Sequence, residues 1–171
     1  MTGLKYENRG YALTKELPME GKLTNEVSWQ LLQELFAAQR SAVLGTTENG
    51  QPYLSLMAFA TTSDLQYLLV ATYRGTRKYR NIEADPRVAL LVDNRSNQPS
   101  DTEQSLAVTA LGQAKEVGAT EKNRFLKIYL AKHPHLEKFV RSPECALIKV
   151  KVERYLVVSN FQEIREVLPR Q

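Results

Sequence analysis

The sequence is poor in cysteine and in long apolar runs. Its one cysteine, Cys145, rules out an internal disulfide and is typical of a reducing compartment. No apolar run reaches the roughly 18 residues that a membrane-spanning helix needs, and the N-terminus lacks the apolar core of a secretory signal. We therefore expect a cytoplasmic protein without a membrane partner. Because an apolar strand pattern follows Cys145, we expect this residue to be buried and structural.

An excess of one charge is also missing. Lys and Arg number 23 and Asp and Glu number 19, so the net charge is only +4, and the two signs are interspersed along the chain. Nucleic-acid binding normally needs a concentrated basic surface, which this sequence does not predict. The mild positive excess is compatible with a small anionic ligand.

Histidine is limited to His133 and His135, which flank one proline. A metal site would need further ligands at suitable spacing, and the sequence offers no obvious set. The same shortage leaves no serine–histidine–aspartate arrangement, and the sequence contains neither a P-loop nor a GxGxxG motif. We expect the two histidines to be exposed to solvent at the end of a helix.

Hydrophobic periodicity predicts a single domain over residues 1–171, with an irregular N-terminal arm over residues 1–22. A helical stripe begins at Thr24, and further helices are expected over residues 77–84 and 120–133, with a short piece over 136–140. Six strands are predicted over residues 41–46, 52–60, 66–71, 88–93, 106–117 and 146–158. A polar loop is expected over residues 93–104, and a final helical turn or two over 161–168.

Turn chemistry indicates how these strands connect. Asn49 and Gly50 both tolerate positive φ and predict a hairpin between the first two strands, while Gly112 predicts a bulge in the fifth. Strands joined by short turns are antiparallel, and six largely apolar strands favour a closed or partly closed barrel with helices packed outside. The second strand carries no charge on either face, which predicts that both of its faces are covered.

The segment over residues 71–81 (ATYRGTRKYRN) carries the clearest functional signal. It joins an apolar strand to a helix through a glycine-containing turn, and Thr76 is the expected N-cap, its hydroxyl accepting a hydrogen bond from a free backbone N–H. Arg77 and Lys78 then fall in the first helical turn, where the helix dipole disfavours cations. Because a bound anion would reverse that penalty, the segment predicts a site for a phosphate-bearing ligand. The alternative is a solvated basic patch.

Three motifs in this order and spacing carry a family resemblance: residues 47–53 (TENGQPY), 72–78 (TYRGTRK) and 85–91 (DPRVALL). They resemble the pyridoxamine 5′-phosphate oxidase-like family of FMN-binding split barrels, over a stretch from about Leu32 to Gly118 and more weakly through the last strand. The resemblance implies a mainly β, α+β fold, a six-stranded antiparallel split β-barrel with flanking helices. It also implies a homodimer that holds FMN in two clefts at its interface.

The resemblance also implies which residues contact the cofactor. A stretch of the second strand would lie along the flavin ring, and the turn before the second helix would hold the ribityl phosphate. The residues matching the first group are Ser55, Leu56, Met57 and Ala58, and those matching the second are Thr72, Thr76, Arg77 and Lys78.

This chain departs from the true pyridoxamine phosphate oxidases at several positions. Those enzymes have an arginine where this chain has Ser55 and a lysine where it has Ala60, and these charges bind the cofactor and substrate phosphates. They also end in a tryptophan-containing segment and an Arg-x-His pair, whereas the only tryptophan here is Trp29. We therefore expect little or no oxidation of pyridoxamine 5′-phosphate.

The expected function is an FMN-dependent oxidoreductase that passes hydride or electrons between a reduced donor and an unidentified small molecule. The flavin supplies that chemistry, so no acid–base residues need be present. The alternatives are a flavin-binding protein without turnover, a haem-binding or haem-degrading relative, and a reductase that uses the deazaflavin F420. Haem in such relatives is generally bound through a histidine ligand, and His133 and His135 are far from the cleft motifs in sequence.

Overall fold

The computed structural model describes residues 25–159 and 163–170. The helices are α1 (Asn25–Ala38), α2 (Arg77–Ala84), α3 (Asp101–Gln104), α4 (Ala119–Lys132) and α5 (Glu137–Val140), and a 3-10 turn at Pro134–Leu136 precedes α5. The strands are β1 (Ser41–Glu48), β2 (Gln51–Thr61), β3 (Tyr67–Tyr73), β4 (Arg87–Asp93), β5 (Ala107–Glu116), β6 (Cys145–Ser159) and β7 (Glu163–Val167). The arm predicted over residues 1–22 lies outside the described residues.

The strands form one antiparallel sheet in the order β3-β2-β1-β4-β5-β6-β7, which closes on itself because β3 also pairs with β6. The first six strands are therefore a closed barrel with helices outside it. This confirms the antiparallel six-stranded α+β barrel expected from the sequence. None of the described helices is long and apolar enough to cross a membrane.

Two predicted backbone features shape the barrel. Asn49 and Gly50 have φ values of 50° and 80° and form the two-residue turn between β1 and β2, where Glu48 pairs with Gln51. The β5–β6 register shifts between Leu111 and Gly112, as a bulge requires. A Cβ added at Gly112 would lie 2.2 Å from the Lys151 carbonyl oxygen, so the two strands approach too closely there for any side chain. Both predictions are confirmed.

The core consists of two hydrophobic clusters, one inside the barrel and one outside it. The larger cluster fills the barrel and the contact with α1, and its most buried large side chains include Leu32, Leu35, Phe59, Leu68, Leu90, Ile148 and Tyr155. The second lies where α4 and α5 cover β2, β3 and β6, and it includes Ala60, Leu69, Phe125, Leu126, Tyr129, Val140 and Cys145. Cys145 is buried, as predicted, and its burial raises the pKa of the thiol.

The expectation that both faces of β2 are covered is wrong for the single chain. Met57 and Phe59 are buried in the barrel, and Ala60 lies under α4. Leu54 and Leu56, however, are 67% and 75% exposed. The reason is the placement of α4, which contacts the second half of β2 and leaves the outer face of its first half open.

The expectation that both histidines are exposed is wrong for His133. This side chain is buried, and its Nε2 is hydrogen-bonded to the Phe59 carbonyl oxygen at 2.8 Å. Burial lowers the pKa of His133. The end of α4 lies against β2, so the residue after the helix is turned inward, whereas His135 is exposed. A sequence window does not show this because the partner on β2 is 74 positions away.

The tail predicted as a helical turn or two over residues 161–168 is a strand where the structure describes it. β7 pairs with the far half of β6, from Tyr155 opposite Val167 to Ser159 opposite Glu163. Its side chains alternate, because Ile164 is exposed and Val167 is buried, and that period of two belongs to a strand. The predicted loop over residues 93–104 likewise contains the one-turn helix α3, where the Asp101 carboxylate accepts a hydrogen bond from the Ser96 N–H at 2.9 Å.

Candidate functional site

A cavity of 290 Å³ lies where β2 and β3 meet the start of α2 and the α4–α5 region. Six of the eight residues predicted to contact a cofactor line it: Leu56, Met57, Ala58, Thr72, Thr76 and Lys78. The pairing of β2 with β3 brings the two predicted groups together, since Phe59 lies opposite Val70 in the ladder that joins them. The described structure thus places most of the sequence-predicted site around one space.

Two threonine hydroxyls form the polar corner of this cavity. The Oγ1 atoms of Thr72 and Thr76 are 3.0 Å apart, and Thr76 Oγ1 also donates to the Tyr73 carbonyl oxygen at 2.8 Å. Thr76 occupies the predicted N-cap position of α2 in an extended conformation, with φ −83° and ψ 154°. Its hydroxyl does not cap the helix, so that detail of the prediction is wrong. The reason is that the hydroxyl is already engaged by the turn.

The first turn of α2 combines a helix start with positive charge. Its N-cap side chain makes no capping hydrogen bond, and the turn contains no acidic residue. A helix start with uncapped N–H groups favours an anion. Lys78 is half-buried and lines the cavity, and no ion pair within residues 25–159 and 163–170 involves it. Lys78 is therefore the cation placed to meet a ligand there.

Arg77 and Ser55 do not line the cavity. Arg77 instead forms an ion pair with Glu48, with Nη2 and Oε2 2.8 Å apart, and its guanidinium lies 4.6 Å from the centre of the Tyr53 ring. Both partners belong to the β1–β2 hairpin. Ser55 is half-buried on β2, opposite Leu44 of β1. Of the two basic residues predicted at the helix start, Lys78 lines the cavity and Arg77 does not.

The remaining wall is aromatic and apolar, and sequence reasoning did not assign most of it to the site. Tyr73 and Phe139 meet edge to face with ring centres 4.9 Å apart, and Ala71, Tyr129 and Leu136 complete the lining. Ala71 and Tyr73 lie in the segment over residues 71–81, and a short piece was predicted over residues 136–140, but neither signal assigned these side chains to the cavity wall. The approach of this piece to β3 depends on tertiary packing, seen in the contact between Tyr73 and Phe139, which no local pattern reveals.

The cavity contains few groups that could move a proton. Of the described residues that line it, none is acidic and none is histidine. Burial raises the pKa of Tyr129 to about 12, so this phenol stays neutral at physiological pH. Within the described residues, no three His, Cys, Asp or Glu side chains are grouped to hold a metal ion. The arrangement can bind an anion next to an apolar wall, and a bound cofactor would have to supply any redox chemistry.

Comparison with known proteins agrees with the fold. The sequence profile of the family described as pyridoxamine 5′-phosphate oxidase matches residues 29–159. No curated protein matches the chain.

Solved structures share the architecture at low sequence identity. A haem-binding protein from Mycobacterium smegmatis superposes with a TM-score of 0.74 at 16% identity, over 83% of this chain and 58% of that one. The protein Atu2129 of Agrobacterium tumefaciens, whose function is unknown, gives 0.69 at 20% identity, over 78% of this chain and 57% of that one. An FAD-binding protein from Mesorhizobium loti superposes with a TM-score of 0.61 at 18% identity, over 75% of this chain and 90% of that one. The chain thus spans under three fifths of the first two proteins, and these likenesses concern the fold.

Proposed function

Because the chain belongs to the pyridoxamine 5′-phosphate oxidase family, we propose that it is an FMN-binding oxidoreductase that acts on a small unphosphorylated substrate. The observation that supports this most is the cavity between β2, β3 and α2. Six residues chosen from the sequence as cofactor contacts line that one space.

The donor set of the cavity fits a phosphate monoester. Lys78 supplies one positive charge and the start of α2 supplies uncapped N–H groups. The hydroxyls of Thr72 and Thr76, whose oxygens are 3.0 Å apart, would donate to the phosphate after rotating away from their present partners. Leu56, Met57 and Ala58 offer an uncharged strand for the ring. These residues would bind and orient FMN, which supplies hydride and electron transfer when bound.

The single chain does not enclose a ligand of this size. Its 290 Å³ lies just below the range for ligand pockets, roughly 300–1,000 Å³. Next to the cavity, Leu54 and Leu56 form an apolar strip on β2 that is mostly exposed. We propose that a second copy of the chain covers this strip in a two-fold homodimer and completes the site, because such dimers are the commonest oligomers.

The proposed substrate is not pyridoxamine 5′-phosphate. A second phosphate would need its own cationic partners, since a buried dianion without them is costly. Lys78 is the one cation among the described residues that line the cavity. Ala60 stands where the true oxidases have a lysine. Its methyl side chain carries no charge, and it is buried in the cluster under α4.

The alternative functions differ in the cofactor they require. Haem is less well supported, because neither His133 nor His135 lines the cavity and His133 is committed to the Phe59 carbonyl. F420 carries a phosphate too, so the same corner could hold it. A flavin-binding protein without turnover would use the site as described.

Identification of the bound cofactor tests this proposal. The purified protein would be examined by absorption spectroscopy, denatured, and the released molecule weighed by mass spectrometry. We expect a flavin spectrum and the mass of FMN, either as purified or after incubation with a mixture of FMN, F420 and haem. Retention of haem or F420 in preference to FMN would contradict the proposal.

A further inference from the structure

We propose that Glu116 is a positioning residue that fixes the phosphate-binding turn and so sets the preference for phosphorylated flavin over unphosphorylated flavin. This rests on the proposed FMN site. Glu116 ends β5 and does not line the cavity, and the family resemblance gave no reason to single it out. Its action would run through Arg74 and Tyr79, and we call these three residues the Glu116 clamp.

Both oxygens of the Glu116 carboxylate are engaged by the polypeptide around the turn. Arg74 donates from Nε to Oε2 at 3.2 Å and from Nη2 to Oε1, and Tyr79 donates its hydroxyl to Oε2 at 2.7 Å. Arg74 precedes the turn at Gly75–Thr76, and Tyr79 follows Lys78 in α2. The carboxylate therefore fixes the chain on both sides of Thr76 and Lys78, which are expected to contact the phosphate.

Arg74 is also held from the opposite side. Its Nη1 donates to the Pro143 carbonyl oxygen at 2.7 Å, and its backbone N–H donates to the Glu144 carbonyl oxygen at 3.0 Å. The turn is thus fixed between the end of β5 and the segment that leads into β6. With Arg74 fixed in this way, Thr76 stays beside Thr72 at the edge of the cavity, with the two hydroxyl oxygens 3.0 Å apart.

The protonation states suit this clamp at neutral pH. Burial alone would raise the pKa of Glu116, but the hydrogen bonds from Arg74 and Tyr79 lower it below its ordinary value. The hydrogen bond to Glu116 raises the pKa of Tyr79 to about 12. The carboxylate is therefore ionised and the phenol keeps its proton, as the contacts require.

The clamp is suited to positioning rather than to holding the fold together. The side chains of Arg74 and Glu116 are 40% and 34% exposed, and ion pairs this accessible to water contribute little to global stability. A bidentate pair with a third donor nevertheless restricts geometry, because several hydrogen bonds must break together before the turn can move. Loss of the clamp should therefore affect the phosphate contacts more than the folded barrel.

The test compares FMN with riboflavin, which has the same ring system and lacks the phosphate. Both flavins would be titrated by fluorescence into the parent protein, Glu116→Gln and Tyr79→Phe, with thermal unfolding recorded for each. Glu121→Gln is the matched control, because the Glu121 carboxylate is 40% exposed and pairs with Lys149 at 2.5 Å, away from the turn. Lys78→Ala, alone and combined with Glu116→Gln, reports whether the two residues act on the same contact.

We expect Glu116→Gln to weaken FMN binding about tenfold while riboflavin binding stays within about twofold. Tyr79→Phe, which removes one hydroxyl, should give a smaller loss in the same direction, and Glu121→Gln should match the parent. In the Lys78→Ala background, Glu116→Gln should have little further effect on FMN, because coupled residues are not additive.

The proposal is overturned if Glu116→Gln weakens FMN and riboflavin equally, or leaves FMN binding unchanged or tighter. If Glu116→Gln does not fold, Tyr79→Phe decides by the same comparison of the two flavins. A parent protein that binds FMN and riboflavin equally would refute the phosphate site itself. A parent that prefers FMN through Lys78 but ignores Glu116 would refute only the clamp.

Discussion

At the scale of single residues, the surroundings of Lys78 and Arg77 differ although the two are neighbours in sequence. Lys78 lines the cavity, whereas Arg77 is paired with Glu48 on the hairpin. We predict that Lys78→Ala weakens FMN binding at least about tenfold, because a charge-assisted hydrogen bond is lost. Arg77→Ala should cost less. Fluorescence titration measures both, with the exposed Lys127→Ala on α4 as control, and an Arg77→Ala loss as large as that of Lys78→Ala would contradict the assignment.

Lys132 should give the protein a measurable pH dependence. Its Nζ donates to the Phe36 carbonyl oxygen at 2.7 Å and lies 3.8 Å from the centre of the Phe59 ring. Burial, with a smaller contribution from Arg40, lowers the pKa of Lys132 from 10.5 to about 8. Between these two values the unfolded chain binds more protons than the folded chain, so this group makes the protein more stable as pH rises.

Denaturant unfolding at pH 7.5 and 9.5 checks this prediction. Lys132→Met keeps an unbranched side chain that is one atom shorter and removes the titrating amine. We expect the free energy of unfolding of the parent, relative to that of Lys132→Met, to rise on the order of 1–2 kcal/mol between the two pH values. Burial raises the pKa of the Cys145 thiol, but this residue is common to both proteins, so its contribution cancels. An equal pH dependence in both proteins would refute the assignment.

Individual residues also show how far sequence reasoning reaches into the site. Thr76 and Lys78 were predicted from the local charge pattern of one strand–turn–helix segment, whereas Thr72 was implied by the family resemblance, and all three line the cavity. Glu116 could not, since it lies 42 positions from Arg74 and only the closed barrel brings the two together. The prediction that His133 is exposed was wrong for the same reason, because its carbonyl partner is on β2.

At the scale of secondary structure, the bulge at Gly112 has the closest backbone approach of the described glycines. A Cβ there would meet the Lys151 carbonyl oxygen at 2.2 Å, and backbone cannot move aside as a flexible side chain can. We predict that Gly112→Ala destabilises the fold by at least about 2 kcal/mol, measured by denaturant unfolding. Gly75→Ala is the control, because nothing lies within 4 Å of its added Cβ, and its change should stay within about 0.5 kcal/mol. Equal stabilities for the two variants would contradict the close approach.

The elements of the barrel were predictable to different degrees. Strands β1 to β6 follow from alternating or continuous apolar residues between clear turn signals, and all six are present. β7 is a five-residue strand with three charged side chains, so its own sequence carries little strand signal. It is a strand because β6 extends beyond its pairing with β3 and offers a partner. That cause is tertiary, which is why the tail was predicted as helix.

At the scale of the whole molecule, the exposed strip on β2 is the surface that the proposed homodimer would bury. We predict a homodimer with a mass about twice the chain's 19.4 kDa by light scattering. Leu54→Asp should shift the protein toward monomer, because it places a charge on the strip without touching the cavity lining. Ile164→Asp is the control, since Ile164 is similarly exposed at 70% but lies on β7. A parent that is monomeric and still binds one FMN per chain would contradict the shared site.

The central claim is that the corner formed by Thr72, Thr76 and Lys78 holds the phosphate of FMN, and a crystal structure of the FMN-loaded protein tests it most directly. We expect phosphate oxygens within hydrogen-bonding distance of Thr76 Oγ1 and Lys78 Nζ. We also expect the isoalloxazine ring beside Leu56, Met57 and Ala58, with a second copy of the chain closing the open side. Electron density that places the phosphate away from this corner, or the flavin in another part of the molecule, would contradict the account.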